Sequence, residues 1–183
     1  MFKRIAMIAR WKPVHLGQAA VLRGLCATAD EVLIGIGSSN RYNLRNPFTL
    51  EETQDMLRIV LQGQGNYRLI PVPDLDDGPR WREMVVDLFG PVDCLVTDNP
   101  YVASLLQEAY RIEHPVGFVP LNERIRVNGT MVRRAMARGE AWEHLVPPKV
   151  AAYLTARGLD ARFRRTFGLE MLAMETLEIN RSD

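Results

Sequence analysis

The sequence has little cysteine and shows no metal-binding pattern. Cys26 and Cys94 are its two cysteines, and both lie in apolar surroundings. Neither has the C-x-x-C or Cys/His spacing that a zinc site or a redox pair requires. We therefore expect two buried free thiols, not a zinc site or a redox pair.

Net charge and long apolar runs are also lacking. Lys and Arg number 23 against 22 Asp and Glu, so the net charge of +1 gives no general reason to expect binding to nucleic acid or to a membrane surface. No apolar run approaches the roughly 18 residues that a membrane span needs. With 183 residues, of which 47% are hydrophobic, the chain is long enough for one real core. We expect a soluble cytoplasmic protein with no nucleic-acid or membrane partner.

Short apolar runs alternate with segments of helical period. Strands are expected at five places: 5–9, 32–36, 67–72, 94–97 and 116–119. Helices are expected after His15, from Thr49, at 81–88 and at 101–109. This alternation predicts an α/β fold of Rossmann type, in which a parallel sheet carries helices on both faces and ligands bind beyond the carboxyl ends of the strands.

The last third of the sequence has a helical pattern throughout. Helices are expected at 130–138 and 148–157, because each segment ends at a glycine. The amphipathic run 169–177 predicts a further helix for packing or for contacts between subunits. We assign residues 1–160 to the main domain and residues 161–183 to a C-terminal helical extension.

The loop after the first strand carries the strongest functional signal. The strand ends at Ala9 and a helix begins near His15, and the amino terminus of a helix offers unpaired N–H groups to phosphate. Arg10 and Lys12 add positive charge at the same place. His15 and Gln18 are three residues apart, so both lie on one face of the first turn and point back toward the phosphate position.

Several motifs then occur in a familiar order. R-W-K-P-V-H-L-G-Q at 10–18 resembles the G-R-x-x-P-x-H-x-G-H signature of the HxGH nucleotidyltransferases, in particular the archaeal-type nicotinamide-nucleotide adenylyltransferases. I-G-S-S at 36–39 and N-P-F-T at 46–49 are similar to further stretches of that family. D-N-P-Y-V at 98–102 and G-T-M-V-R-R at 129–134 extend the similarity. The likeness runs in order from about residue 4 to residue 157.

The resemblance, together with the charges of the first loop, implies a set of site residues. The catalytic candidates are Arg10, Lys12, His15, Gln18 and Arg133. The nucleotide-binding candidates are Ala9, Gly17, Gly37, Asn128, Gly129 and Thr130. The acceptor-binding candidates are Phe48, Trp81 and Asn99, with Trp81 stacking on a flat base. The implied cofactor is Mg²⁺, held by nucleotide phosphates and water rather than by side chains.

The sequence departs from the family pattern at three positions. Gln18 replaces the second histidine of H-x-G-H, Thr53 replaces an arginine, and Asn128 replaces a serine. Lys12 is the residue best placed to restore the lost charge, with Arg41 and Arg45 as alternatives. Loss of one charged donor costs on the order of 3 kcal/mol of transition-state stabilisation.

The resemblance implies transfer of AMP from ATP to nicotinamide mononucleotide (NMN), which gives NAD and pyrophosphate. Two alternatives stay open: a nucleotidyltransferase with a different nucleotide or phosphorylated acceptor, and a nucleotide-binding relative without catalysis. Trp81 also fits simple core packing, and Arg133 with Arg134 also fits a solvated helix face. The resemblance further implies a homo-oligomer.

Overall fold

The computed structural model describes residues 1–179, in which five parallel strands form one sheet. The strands are β1 at Phe2–Ala9, β2 at Ala29–Gly37, β3 at Tyr67–Val72, β4 at Cys94–Val96 and β5 at Ile112–Glu113. Their order in the sheet is β3-β2-β1-β4-β5, with every pairing parallel. The α/β fold and the first four predicted strands are confirmed.

Helices cover both faces of this sheet. They are α1 at Leu16–Thr28, α2 at Leu50–Val60, α3 at Gly78–Phe89, α4 at Pro100–Leu106, α5 at Gly129–Arg138, α6 at Pro148–Ala156 and α7 at Leu159–Ile179. Alternate strand residues face opposite layers: Ile5 and Met7 pack in the larger core, whereas Ala6 and Ile8 pack in a second core with α3 and α4. The central strands are buried on both faces, which explains their continuous apolar sequence.

Side chains at the helix starts account for where several helices begin. Thr49 and Glu52 form the predicted capping box of α2. Asn128 caps α5, and Gly139 ends that helix in the left-handed conformation at φ 71°.

Cys26 and Cys94 are buried free thiols, as expected, and burial raises the pKa of each to about 11. No helix within residues 1–179 has the length and apolar character to cross a bilayer.

The C-terminal helix is longer than the amphipathic run indicated. α7 begins at Leu159, and its Phe163, Phe167 and Met171 are buried in the larger core beside α5. The predicted extension 161–183 therefore lies within α7 as far as residue 179, and residues 180–183 lie outside the described residues.

The expected strand at 116–119 is wrong. Pro115–Phe118 forms a 3₁₀ turn, capped by the His114 side chain, and the fifth strand lies just before it. Pro115 cannot donate a ladder hydrogen bond. The turn packs so closely on α1 that a Cβ at Gly24 would lie 1.9 Å from the Phe118 carbonyl oxygen. Contact with α1 thus takes the place of pairing in the sheet.

Candidate active site

A cleft of about 1020 Å³ opens beyond the carboxyl ends of β1 and β4. In the strand order of this sheet the chain leaves β1 toward β2 on one side and reaches β4 on the other, which is the position where open α/β sheets bind ligands. The predicted site residues that line the cleft are Ala9, Arg10, Lys12, His15, Gln18, Gly37, Trp81, Asn99, Asn128, Gly129, Thr130 and Arg133.

His15 and Gln18 hold each other at the start of α1. The Gln18 backbone N–H donates to His15 Nδ1 at 3.3 Å, and the His15 backbone N–H donates to Gln18 Oε1 at 3.4 Å. This reciprocal pair is a capping box built from histidine and glutamine. The side-chain oxygen of Gln18 is therefore engaged, and its Nε2 amide is the group left to donate into the cleft.

His15 is uncharged near neutral pH. Burial, followed by the nearby Arg133 guanidinium, lowers the pKa of His15 to about 4. Because Nδ1 accepts the Gln18 N–H, the proton of the neutral ring is on Nε2. His15 can thus donate one neutral hydrogen bond to a phosphate oxygen.

Lys12 is a nearly buried cation beneath the cleft. Its exposure is 3%, and its Nζ donates to the Ser38 carbonyl oxygen at 3.1 Å, just beyond β2. Burial lowers the pKa of Lys12 to about 8, a shift that Asp74 opposes and Arg10 increases. The ammonium group therefore joins the loop after β1 to the loop after β2.

Arg133 joins the start of α5 to the loop after β1. Its Nη1 donates to the Lys12 carbonyl oxygen at 2.9 Å, and its Nη2 donates to Thr130 Oγ1 at 3.2 Å. A Cβ at Gly129 would lie 3.0 Å from Arg133 Nη1, so the glycine leaves room for this guanidinium. Burial, then Arg10 and Arg45, lowers the pKa of Arg133 to about 10, which still leaves it cationic at neutral pH. Two helix starts and several cations thus converge on one end of the cleft.

Trp81 and Asn99 lie at the other end, where α3 and α4 begin. Trp81 is partly exposed and lies on the first turn of α3. Asn99 caps α4 by accepting from the Tyr101 and Val102 N–H groups. A partly exposed ring that lines a cleft remains accessible to a flat ligand.

Two predicted site residues do not line the cleft. Phe48 is fully buried in the larger core, and its contact with the acceptor stays a prediction. Gly17 supplies space: a Cβ there would lie 3.3 Å from His15 Nδ1 and 3.4 Å from the Ile125 carbonyl oxygen. Gly17 thus affects the site through its close approach to His15.

The position of the missing family arginine is also buried. Thr53 is 0% exposed, and its hydroxyl donates to the Thr49 carbonyl oxygen at 2.8 Å. Arg45 lines the cleft. Arg41 lines it as well, but it is paired with Asp74 and Asp76. Restoration of the lost charge by Lys12 stays a prediction.

Several residues of the cleft are not among the predicted site residues. Met171 and Met174 of α7 line the cleft, although they are more than 30 residues beyond the last motif. Ser38 contributes a carbonyl oxygen that anchors Lys12. Ser38 belongs to the I-G-S-S stretch that resembles the family, but that likeness does not predict a role for its carbonyl oxygen. Helical periodicity does not show where Met171 and Met174 pack.

The acidic residues of the cleft do not form a cage for a metal ion. Within residues 1–179, no group of three or more His, Cys, Asp or Glu side chains is arranged to hold one. Asp74 and Asp76 are ion-paired with Arg41, and Asp77 caps α3. Asp98 also lines the cleft, without an ion pair to any described residue. That a magnesium ion is carried by nucleotide phosphates stays a prediction.

Known proteins resemble this chain in sequence and in fold. No protein-family model matches it. It is 36% identical over 159 residues to the nicotinamide-nucleotide adenylyltransferase of Thermococcus kodakarensis, across 84% of this chain and 83% of that protein. It is 35% identical over 150 residues to the enzyme of the same name from Methanococcus maripaludis, across 80% and 85%.

Solved structures share the fold at lower identity. A bifunctional NMN adenylyltransferase/ADP ribose pyrophosphatase from Francisella tularensis, crystallised with AMP and a manganese ion, matches all of this chain and 57% of its own, with a TM-score of 0.72 and 18% identity. A putative nicotinate-nucleotide adenylyltransferase from Vibrio parahaemolyticus matches 84% of this chain and 99% of its own, with a TM-score of 0.55 and 19% identity.

Proposed function

The chain belongs to the nicotinamide-nucleotide adenylyltransferase family, and we propose that it joins ATP to NMN, giving NAD and pyrophosphate. The observation that carries this proposal is the cationic end of the cleft. There the starts of α1 and α5 meet Arg10, Lys12 and Arg133. Backbone N–H groups and fixed cations in one place favour a polyphosphate over a neutral ligand.

The reaction needs positioning more than covalent help from the protein. An oxygen of the NMN phosphate attacks the α-phosphorus of ATP, the bond from that phosphorus to the bridging oxygen breaks, and pyrophosphate leaves. In our proposal, His15 Nε2–H and the Gln18 amide donate to phosphate oxygens. Arg10, Lys12 and Arg133 offset the negative charge of the triphosphate. Trp81 stacks on the pyridine ring at the opposite end.

Magnesium is the proposed metal ion, bound through phosphate oxygens and water. When bound, it neutralises phosphate charge and polarises the phosphoryl group under attack. The protein's part is to hold the phosphates with Arg10, Lys12 and Arg133, so that no carboxylate ligand is required.

Product analysis tests this function. Purified protein is incubated with ATP, magnesium and NMN, and in parallel with a panel of other phosphorylated acceptors, and the products are separated by chromatography. We expect NAD and pyrophosphate in equal amounts with NMN. Product with another acceptor alone, or ATP binding without any product at high enzyme concentration, would overturn the proposal.

A further inference from the structure

The cations and the carboxylates that line the cleft come mainly from different elements of the fold. Arg10, Lys12 and Arg133 lie at the starts of α1 and α5, and Arg45 is close enough to lower the pKa of Arg133. The acidic residues come from the loop after β3 at 74–77 and the loop after β4. Asp74 is close enough to Lys12 to oppose the lowering of its pKa, and Arg41 pairs with Asp74 and Asp76. We call the starts of α3 and α4, with Asp77 and Asp98, the acidic end of the cleft.

Asp77 and Asp98 are the acidic residues lining the cleft that lack a cationic partner. Asp74 and Asp76 both pair with Arg41, which offsets part of their charge. Within residues 1–179, no Lys, Arg or His forms a salt bridge with Asp77 or Asp98, and both side chains are exposed. Their negative charge is thus available to a ligand in the cleft.

These two residues flank the places where α3 and α4 begin, and the two helix starts touch. A Cβ at Gly78 would lie 3.0 Å from Tyr101 Oη. Trp81 lies one turn after Asp77, and its backbone N–H donates to the Asp77 carbonyl oxygen at 2.9 Å. The partly exposed indole and both carboxylates therefore border the same end of the cleft.

The helix starts themselves offer little to an anion here. Asp77 already accepts the Arg80 N–H, and Asn99 accepts the Tyr101 and Val102 N–H groups. Side-chain caps use the donors that would otherwise attract a carboxylate. An aromatic face beside unpaired carboxylates instead suits a flat cation.

We propose that Asp77 and Asp98 make this end of the cleft select an acceptor whose pyridinium ring carries a neutral carboxamide over one whose ring carries a carboxylate. The inference rests on the proposed function, because it concerns the acceptor of that reaction. Both acceptor classes carry a phosphate for the cationic end and a pyridinium cation for Trp81. They differ in one negative charge, which the acidic end repels.

The test compares NMN with nicotinate mononucleotide as acceptors. Asp77→Asn removes the charge and keeps a side chain that caps α3 equally well, and Asp98→Asn is the matching change on the other loop. The selectivity is the ratio of kcat/KM for NMN to kcat/KM for nicotinate mononucleotide. We expect this ratio to fall by about fivefold in the double variant. The effect is modest because each exposed charge acts through water. The change should appear in KM, with kcat held, because the ring is remote from the reacting phosphates.

Asp87→Asn is the control, since it removes the same charge from the outer side of α3, away from the cleft. It should leave the ratio unchanged. Raising the ionic strength from about 20 to about 300 mM should also weaken the preference of the unaltered protein for NMN, because screening acts on exposed charges. The inference is overturned if the ratio of kcat/KM for NMN to that for nicotinate mononucleotide is the same in all three proteins: the double variant, Asp87→Asn and the unaltered protein. A preference for NMN that is insensitive to salt would overturn it as well.

Calorimetric binding of the two acceptors separates this inference from the proposed function. If neither acceptor yields a dinucleotide, the proposed function fails, while the ratio of the two dissociation constants still tests the selectivity. If dinucleotide forms equally well from both acceptors, the function stands and the selectivity is wrong.

Discussion

The oxygen and the nitrogen of the Gln18 side-chain amide have different roles. Its Oε1 accepts the His15 backbone N–H, and its Nε2 amide is the donor left for phosphate. Gln18→Glu keeps an oxygen for the capping box but replaces the donor with a negative charge. We expect kcat/KM for ATP to fall at least about a hundredfold. The melting temperature should stay within a degree or two of the unaltered protein's.

Gln64→Glu is the matched control, because it makes the same charge change at an exposed position after α2, outside the cleft. It should retain full activity. Equal activity of Gln18→Glu and Gln64→Glu would contradict a phosphate-facing amide at Gln18.

Lys12 makes activity depend on pH in a defined direction. Because its pKa is lowered to about 8, chiefly by burial, it loses its charge as the pH rises through that value. kcat/KM for ATP should therefore decline above about pH 8, and Lys12→Gln should show a lower and flatter profile there.

Deprotonation of Lys12 does not itself destabilise the fold over this pH range. Between about pH 8 and the ordinary lysine value of 10.5, the unfolded chain binds more protons at Lys12 than the folded one, so this group makes stability rise with pH. A profile that falls above pH 8 equally steeply in Lys12→Gln would rule out Lys12 as its cause.

At the scale of helices and strands, local patterns predicted what local interactions determine. The capping box at Thr49 correctly predicts the start of α2, and Gly139 correctly predicts the end of α5. Both signals act within one or two helical turns. The strand predicted at 116–119 is wrong because this segment packs as a turn against Gly24 in α1, more than 90 residues earlier. Apolar composition alone does not distinguish a strand from a turn packed on a helix.

The ion pair between Arg162 of α7 and Glu52 of α2 is the clearest interaction that the sequence pattern does not predict. Arg162 donates to both carboxylate oxygens of Glu52, at 2.6 and 2.7 Å, and to the Pro47 carbonyl oxygen at 3.1 Å. Burial opposes ionisation of Glu52, but hydrogen bonds from Arg162 and from the Thr49 N–H leave its pKa below the usual value.

Breaking this pair should cost more than breaking an exposed one. Arg162→Met leaves a buried carboxylate without its partner, and we expect the free energy of unfolding to fall by about 3 kcal/mol. Combining it with Glu52→Gln should recover at least about 1 kcal/mol of that loss in a urea-denaturation cycle. Arg82→Met, at the exposed pair with Glu108, should cost less than about 1 kcal/mol. Strictly additive losses at Arg162 and Glu52 would contradict the coupling.

At the scale of the whole molecule, topology assembles the site. The resemblance implied site residues after β1, β2 and β4 and at the start of α5, and the strand order brings these segments to one cleft. The positions of residues that depend on distant packing could not be predicted from local pattern: Phe48 is buried in the core, whereas Met171 and Met174 of α7 line the cleft. The homo-oligomer stays a prediction for light scattering in solution.

The central claim is that AMP passes from ATP to the phosphate of NMN. Tracing isotope from ATP tests it most directly: one sample carries the label in the α-phosphate and another in the γ-phosphate, each with NMN and magnesium. The account predicts the α-label in NAD and the γ-label in pyrophosphate. An α-label recovered only in free AMP or ADP, or a γ-label recovered as inorganic phosphate, would contradict it.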